Sequence, residues 1–134
     1  MRRLLADTSV WVGYLRGGAD TRSGRLLAPA LQRGDCLICG PVAAELLAGT
    51  SPRDRDRLAE SLLGLEWVDL GRSEWLAVGR LAAELRMGGA TVPLTDVEIA
   101  VAAIAAEAEL ATSDSDFDRI AAADSRLILA DLGR

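Results

Sequence analysis

Short apolar runs alternate with helical patterns along nearly the whole chain, and this alternation restricts the fold to one class. Residues 3–6, 36–39, 65–70, 110–112 and 127–129 read as strands. Helical patterns occupy 8–16, 22–33, 41–48, 52–63, 73–87, 95–109 and 116–123. Gly17-Gly18, Gly34, Gly49 and Gly88-Gly89 mark helix ends, while Pro41 and Pro52 suit first helical turns. Ser51 with Asp54, Thr95 with Glu98 and Ser115 with Asp118 have the spacing of capping boxes. Strands alternating with helices predict an α/β fold of three layers, a central parallel sheet of four to five strands flanked by helices. The 134 residues point to a single domain, 1–134. A chain of this length buries roughly 68% of its unfolded surface, so it needs no disulfide or structural metal for stability.

Four carboxylates interrupt this apolar framework. Asp7 ends the run Leu4-Leu5-Ala6, and Asp114 follows Leu110-Ala111-Thr112. Glu45 shares a helical stripe with Val42, Leu46 and Gly49, and Asp96 shares one with Ile99, Ala100 and Ala103. A carboxylate beside a core is costly unless it is paired, hydrogen-bonded or bound to a cation. Each has an ordinary explanation when taken alone: Asp7 as a helix cap, Asp96 as a partner of its helix dipole, Glu45 on a solvated face. Together they suit a site for Mg²⁺ or Mn²⁺. In an open parallel sheet, ligands bind beyond the carboxyl ends of the strands, which is where Asp7 and Asp114 fall. Asp96, at a helix start, can lie on the same edge.

What the chain lacks narrows the chemistry further. Without His, Ser-His-Asp and Cys-His catalysis and every His-containing zinc site are excluded. All 15 basic residues are Arg, so the lysine-dependent phosphate loops and Schiff bases go too. Carboxylate and metal chemistry survives both filters. The net charge of −5 does not advertise a nucleic-acid binder, although a bound cation neutralises an acidic pocket locally. Arg16, Arg22 and Arg25, and then Arg53, Arg55 and Arg57, read first as solvated helix faces, with phosphate contact the alternative. Cys36 and Cys39 form C-x-x-C, but within a strand they point to opposite faces and read as small core hydrophobes. Asp114-Ser115-Asp116-Phe117-Asp118 is not a calcium loop, because Arg119 and Ser125 stand where Gly and Glu are required. The longest apolar helical stretch, 99–106, is far short of the ~20 residues that cross a membrane, and a cytoplasmic protein with no membrane partner is expected.

Four segments, in order, carry a family resemblance. They are Leu5-Ala6-Asp7-Thr8-Ser9-Val10-Trp11-Val12, Val42-Ala43-Ala44-Glu45-Leu46-Leu47-Ala48-Gly49, Asp96-Val97-Glu98-Ile99-Ala100 and Ala111-Thr112-Ser113-Asp114-Ser115-Asp116-Phe117. Over essentially its whole length the chain resembles a PIN domain, specifically the VapC-type toxin ribonucleases of type II toxin–antitoxin pairs. The resemblance implies a Mg²⁺-dependent endoribonuclease, with Mn²⁺ as a substitute, that cuts RNA by attack of metal-activated water. It implies Asp7 and Asp96 as the main metal ligands. Glu45 and Asp114 would bind a second ion, hold its waters or orient the attacking water. Thr8, Ser9 and Thr112 are candidate supports for these carboxylates. Asp116 is a possible assistant to Asp114, and Glu98 stands where the family usually has an aliphatic residue. The implied partners are an RNA substrate and a small antitoxin protein, with the complex built on a homodimer of this chain. The helices at 8–16, 22–33 and after Pro52 carry Leu and Trp beside Arg and are the expected docking surface. The rival reading is a non-catalytic PIN-like module that binds RNA or protein; a small-molecule phosphatase comes third.

Overall fold

The computed structural model describes residues 2–132. Five strands form one parallel sheet: β1 (Leu4–Ala6), β2 (Cys36–Cys39), β3 (Glu66–Val68), β4 (Glu109–Ala111) and β5 (Ile128–Leu129). Their order is β3-β2-β1-β4-β5. Every residue of β1 and β2 is buried, as expected for strands with both faces covered. The edge strands β3 and β5 are more exposed, and Arg3 pairs with Glu66 to tie β1 to the far edge. β1 aligns Leu4 with both Cys36 and Glu109, and Ala6 with Ala111.

Seven helices among the described residues flank the sheet: α1 (Thr8–Gly17), α2 (Arg22–Arg33), α3 (Gly40–Ala48), α4 (Pro52–Leu63), α5 (Arg72–Met87), α6 (Leu94–Ala105) and α7 (Asp116–Ala123). Helix α1 packs on α2 and α3, while α5, α6 and α7 pack on one another. The core runs from Leu5, Ile38 and Leu110 in the sheet to Val10, Leu27, Val42, Val97, Ile99, Phe117 and Ile120 on the helices. Cys36 and Cys39 are free and buried within it. Burial pushes their thiols up to about 12 and about 11, so neither is a reactive thiolate at neutral pH.

The predicted three-layer α/β architecture is the observed one, with strand ends shifted by one or two residues (65–70 is Glu66–Val68, 110–112 is Glu109–Ala111) and two further local differences. The helix expected over 95–109 spans Leu94–Ala105 instead. It stops because Glu107 adopts a left-handed conformation (φ 53°), letting the Ala108 N–H bond back to the Ala103 carbonyl. Glycine usually fills that position, and a glutamate there gives no sequence signal. The three capping boxes also do not form. Helix α6 begins after Pro93, which leaves Thr95 inside the helix. The Ser51 hydroxyl donates to the Asp54 carboxylate rather than capping the backbone, and Ser115 makes no side-chain cap.

The strand order has a direct consequence for function. From β1 the chain moves outward to β2 and β3, then returns to add β4 on the other side of β1. Open parallel sheets bind ligands in the crevice beyond the carboxyl ends of their strands where the order reverses, which here is at β1 and β4. The Asp7 N–H bonds to the Ala111 carbonyl at 2.9 Å, so the two strand exits are laced together at this crevice.

Candidate active site

Asp7 occupies the exit of β1 and is 4% exposed. It caps α1, because its Oδ1 accepts from the Val10 N–H at 3.1 Å. The same oxygen accepts from Ser9 Oγ at 2.6 Å, and Oδ2 accepts from Thr112 Oγ1 at 2.5 Å across the crevice. Capping and site formation are thus one arrangement. Burial still raises the Asp7 pKa against the lowering effect of these donors, and the Asp114 charge adds to the rise. A carboxylate this well supplied with donors is held in one orientation.

Three further acids meet beside it. Carboxylate oxygens of Asp96, Asp114 and Asp116 lie within 4.8 Å of one another. They come from the first turn of α6, the loop after β4 and the start of α7. The Asp114 N–H donates to Thr112 Oγ1 at 2.9 Å, and Asp114 Oδ1 accepts from the Asp116 N–H at 2.9 Å. This turn folds Asp116 back toward Asp114. Asp96 is pushed from 3.8 to about 6, first by desolvation and then by the charges of Asp114, Asp116, Asp7 and Glu45. Arg119 makes a loose, exposed pair with Asp116 at 3.6 Å.

Glu45 lies on α3, exposed although its stripe neighbours Val42 and Leu46 are buried. Its Oε1 accepts from Thr8 Oγ1 at 2.7 Å, which anchors it to the first residue of α1. Glu98 is half-buried two residues beyond Asp96. Its pKa is raised by desolvation and by the charge of Glu45, not by any role as a cap. The structure therefore brings the expected acids to one edge but groups them differently. Asp116, expected as an assistant, belongs to the tight trio, while Asp7 and Glu45 border it. Ser113 was not expected at all. Its Oγ lies 2.9 Å from Ser9 Oγ, a contact between loops that no local pattern announces.

This donor set suits a hard cation. Carboxylate oxygens from three segments converge, and among the described residues a loose contact from Arg119 offsets them. Oxygen-only coordination favours Mg²⁺ or Mn²⁺ over softer metals, and the two thiols are sealed in the core.

The family model described as PIN domain matches residues 4–123. The chain belongs to the PIN domain family. Among solved structures, this PIN domain is similar to VapBC2 from Rickettsia felis bound to a DNA fragment from its promoter. That likeness has 26% identity, covers 95% of this chain and 96% of that one, and has a TM-score of 0.74. It shares the fold of FitAcB from Neisseria gonorrhoeae at 21% identity, with 96% and 97% of the two chains covered and a TM-score of 0.77. It also shares the fold of a chain in a toxin–antitoxin complex from Klebsiella pneumoniae. There the identity is 18%, 85% and 89% of the chains are covered, and the TM-score is 0.70. No curated protein sequence matches the chain significantly. The family found by comparison is the one that the four sequence motifs indicate.

Proposed function

We propose that this PIN domain is a divalent-metal-dependent endoribonuclease and the VapC-type toxin of a toxin–antitoxin pair. The convergence of Asp96, Asp114 and Asp116 beside Asp7 carries the nuclease reading. The likeness to the Rickettsia felis and Klebsiella pneumoniae structures, together with the four motifs, supports the toxin reading.

Asp96, Asp114 and Asp116 would hold the ion, with Asp7 beside them. A bound Mg²⁺ or Mn²⁺ would lower the pKa of a water, neutralise phosphate charge and position the scissile group. Asp7 is kept in one orientation by Ser9, Val10 and Thr112, and this fixed carboxylate aligns what binds in the crevice. Glu45, anchored by Thr8, is placed to orient the attacking water or to contribute to a second ion. No side chain has to act as a base near neutral pH, which suits a chain without His or Lys.

The antitoxin would dock over α1, α2 and α4 and present a basic side chain to the acidic crevice. Leu15, exposed beside Arg16 on α1, and Leu63 at the end of α4 fit this surface. Trp11 does not, because it is 4% exposed and belongs to the core. Arg55 is occupied in holding the Leu47 and Thr50 carbonyls and Arg57 in an ion pair with Asp54 at 2.7 Å, although both, like Arg53, are exposed.

The test is cleavage of an RNA panel by the purified chain. We expect Mg²⁺- or Mn²⁺-dependent cuts with 5′-phosphate and 3′-hydroxyl ends, abolished by EDTA and by Asp7→Asn or Asp96→Asn. Undiminished cleavage in excess EDTA would sink the metal mechanism. A 2′,3′-cyclic phosphate would show that the RNA 2′-hydroxyl attacked instead of water.

A further inference from the structure

Asp7 is not held by its immediate neighbours alone. Its Ser9 donor is itself bound from the opposite side of the crevice. Ser9 Oγ spends its proton on Asp7 Oδ1 at 2.6 Å. A hydroxyl then has two acceptor positions left. The structure fills both from one residue: Ser113 donates its Oγ–H at 2.9 Å and its backbone N–H at 3.3 Å. With both acceptor positions taken, the Ser9 proton has no other direction in which to point than Asp7. Donation into Ser9 also polarises its O–H and strengthens the bond to the carboxylate.

Ser113 sits between Thr112, which donates to the other oxygen of Asp7, and Asp114, a member of the acidic trio. One three-residue stretch after β4 therefore touches both sides of the Asp7 carboxylate, directly through Thr112 and indirectly through Ser9. We propose that Ser113 is a positioning residue: through Ser9 it aims Asp7 and locks the loop bearing Asp114 onto the start of α1. Ser113 itself is exposed, which leaves room for substitution without disturbing the core. The link to metal binding rests on the metal-nuclease reading above, whereas the loop lock does not.

Two measurements on the full chain separate these parts. In metal-free protein, Ser113→Ala should speed amide hydrogen exchange at Asp114 and Asp116 about 3- to 10-fold, the effect of one lost hydrogen bond. Ser113→Thr, which restores the hydroxyl, should return it to the wild-type rate. Unchanged exchange in Ser113→Ala would overturn the relay. In the second measurement, Mn²⁺ titrated by calorimetry should bind Ser113→Ala about 3- to 10-fold more weakly than wild type, again rescued by Ser113→Thr. Equal Mn²⁺ affinity in wild type and Ser113→Ala would overturn the positioning role. Wild-type protein that binds no Mn²⁺, with exchange still accelerated in the variant, would uphold the loop lock and reject the metal reading instead.

Discussion

At the scale of single residues, the site holds charge in tension. Asp96 ordinarily would titrate at 3.8 but does so at about 6 in the folded chain. Between these values the folded protein keeps a proton that the unfolded chain has released. Protonation there favours folding, so this residue's contribution to stability falls as pH rises from about 4 to about 6. Asp96→Asn should therefore raise the stability of the metal-free protein near pH 7 by roughly 1 kcal/mol, after solvent screening of a partly exposed group. Thermal unfolding with EDTA checks this, and a lower melting temperature in the variant would contradict it. Mg²⁺ or Mn²⁺ should reverse the ranking, because only the wild type gains from the ion. Thr112 presents the opposite case, a buried hydroxyl that stabilises the charged form of Asp7. Thr112→Val should cost about 1–3 kcal/mol at neutral pH in denaturant titration, and Thr112→Ser should cost much less. Because the lost hydroxyl favoured ionised Asp7, the penalty should shrink as the solution is acidified.

Secondary-structure elements place these residues, and their ends matter more than their middles. The Asp7 cap begins α1, the first turn of α6 presents Asp96, and the turn from Asp114 to Asp116 begins α7. Glu107 shows how an end is set without a recognisable signal. A left-handed residue other than glycine costs roughly 1–2 kcal/mol, and glycine returns part of that as unfolded-state entropy. Glu107→Gly should stabilise the chain by about 0.5 kcal/mol in urea titration and leave RNA cleavage unchanged, since α6 carries Asp96 at its other end. A loss of stability would mean that the Glu107 side chain holds the turn through contacts of its own. The β2 cysteines make a complementary case. Removing both sulfurs (Cys36→Ala with Cys39→Ala) should cost about 1–3 kcal/mol as core truncation, with activity retained and insensitive to thiol reagents. Stoichiometric zinc at this pair would contradict the packing reading.

Across the whole molecule, the reversal of strand order turns scattered acids into a crevice. Among the described residues, no helix is long and apolar enough to cross a membrane. On the proposed toxin reading, expression of the chain alone should arrest growth and co-expression of an adjacent small antitoxin gene should relieve the arrest; growth curves read both. Harmless expression of a chain that cleaves RNA in vitro would favour a housekeeping nuclease.

Fold class and the candidate acids were legible in the order of residues alone. Strand and helix periodicities are local, and an acid next to an apolar run is visible wherever it occurs. That order also made the cysteines legible as core, because strand geometry sends positions three apart to opposite faces. Which acids meet depends on how the chain packs in three dimensions. The grouping of Asp116 with Asp96 and Asp114 depends on a turn after β4 and on the seating of α6 against α7. The Ser113–Ser9–Asp7 chain joins residues 104 positions apart in the sequence. Such contacts arise from the order in which strands pair, and an apolar run of a given composition pairs equally well in several orders.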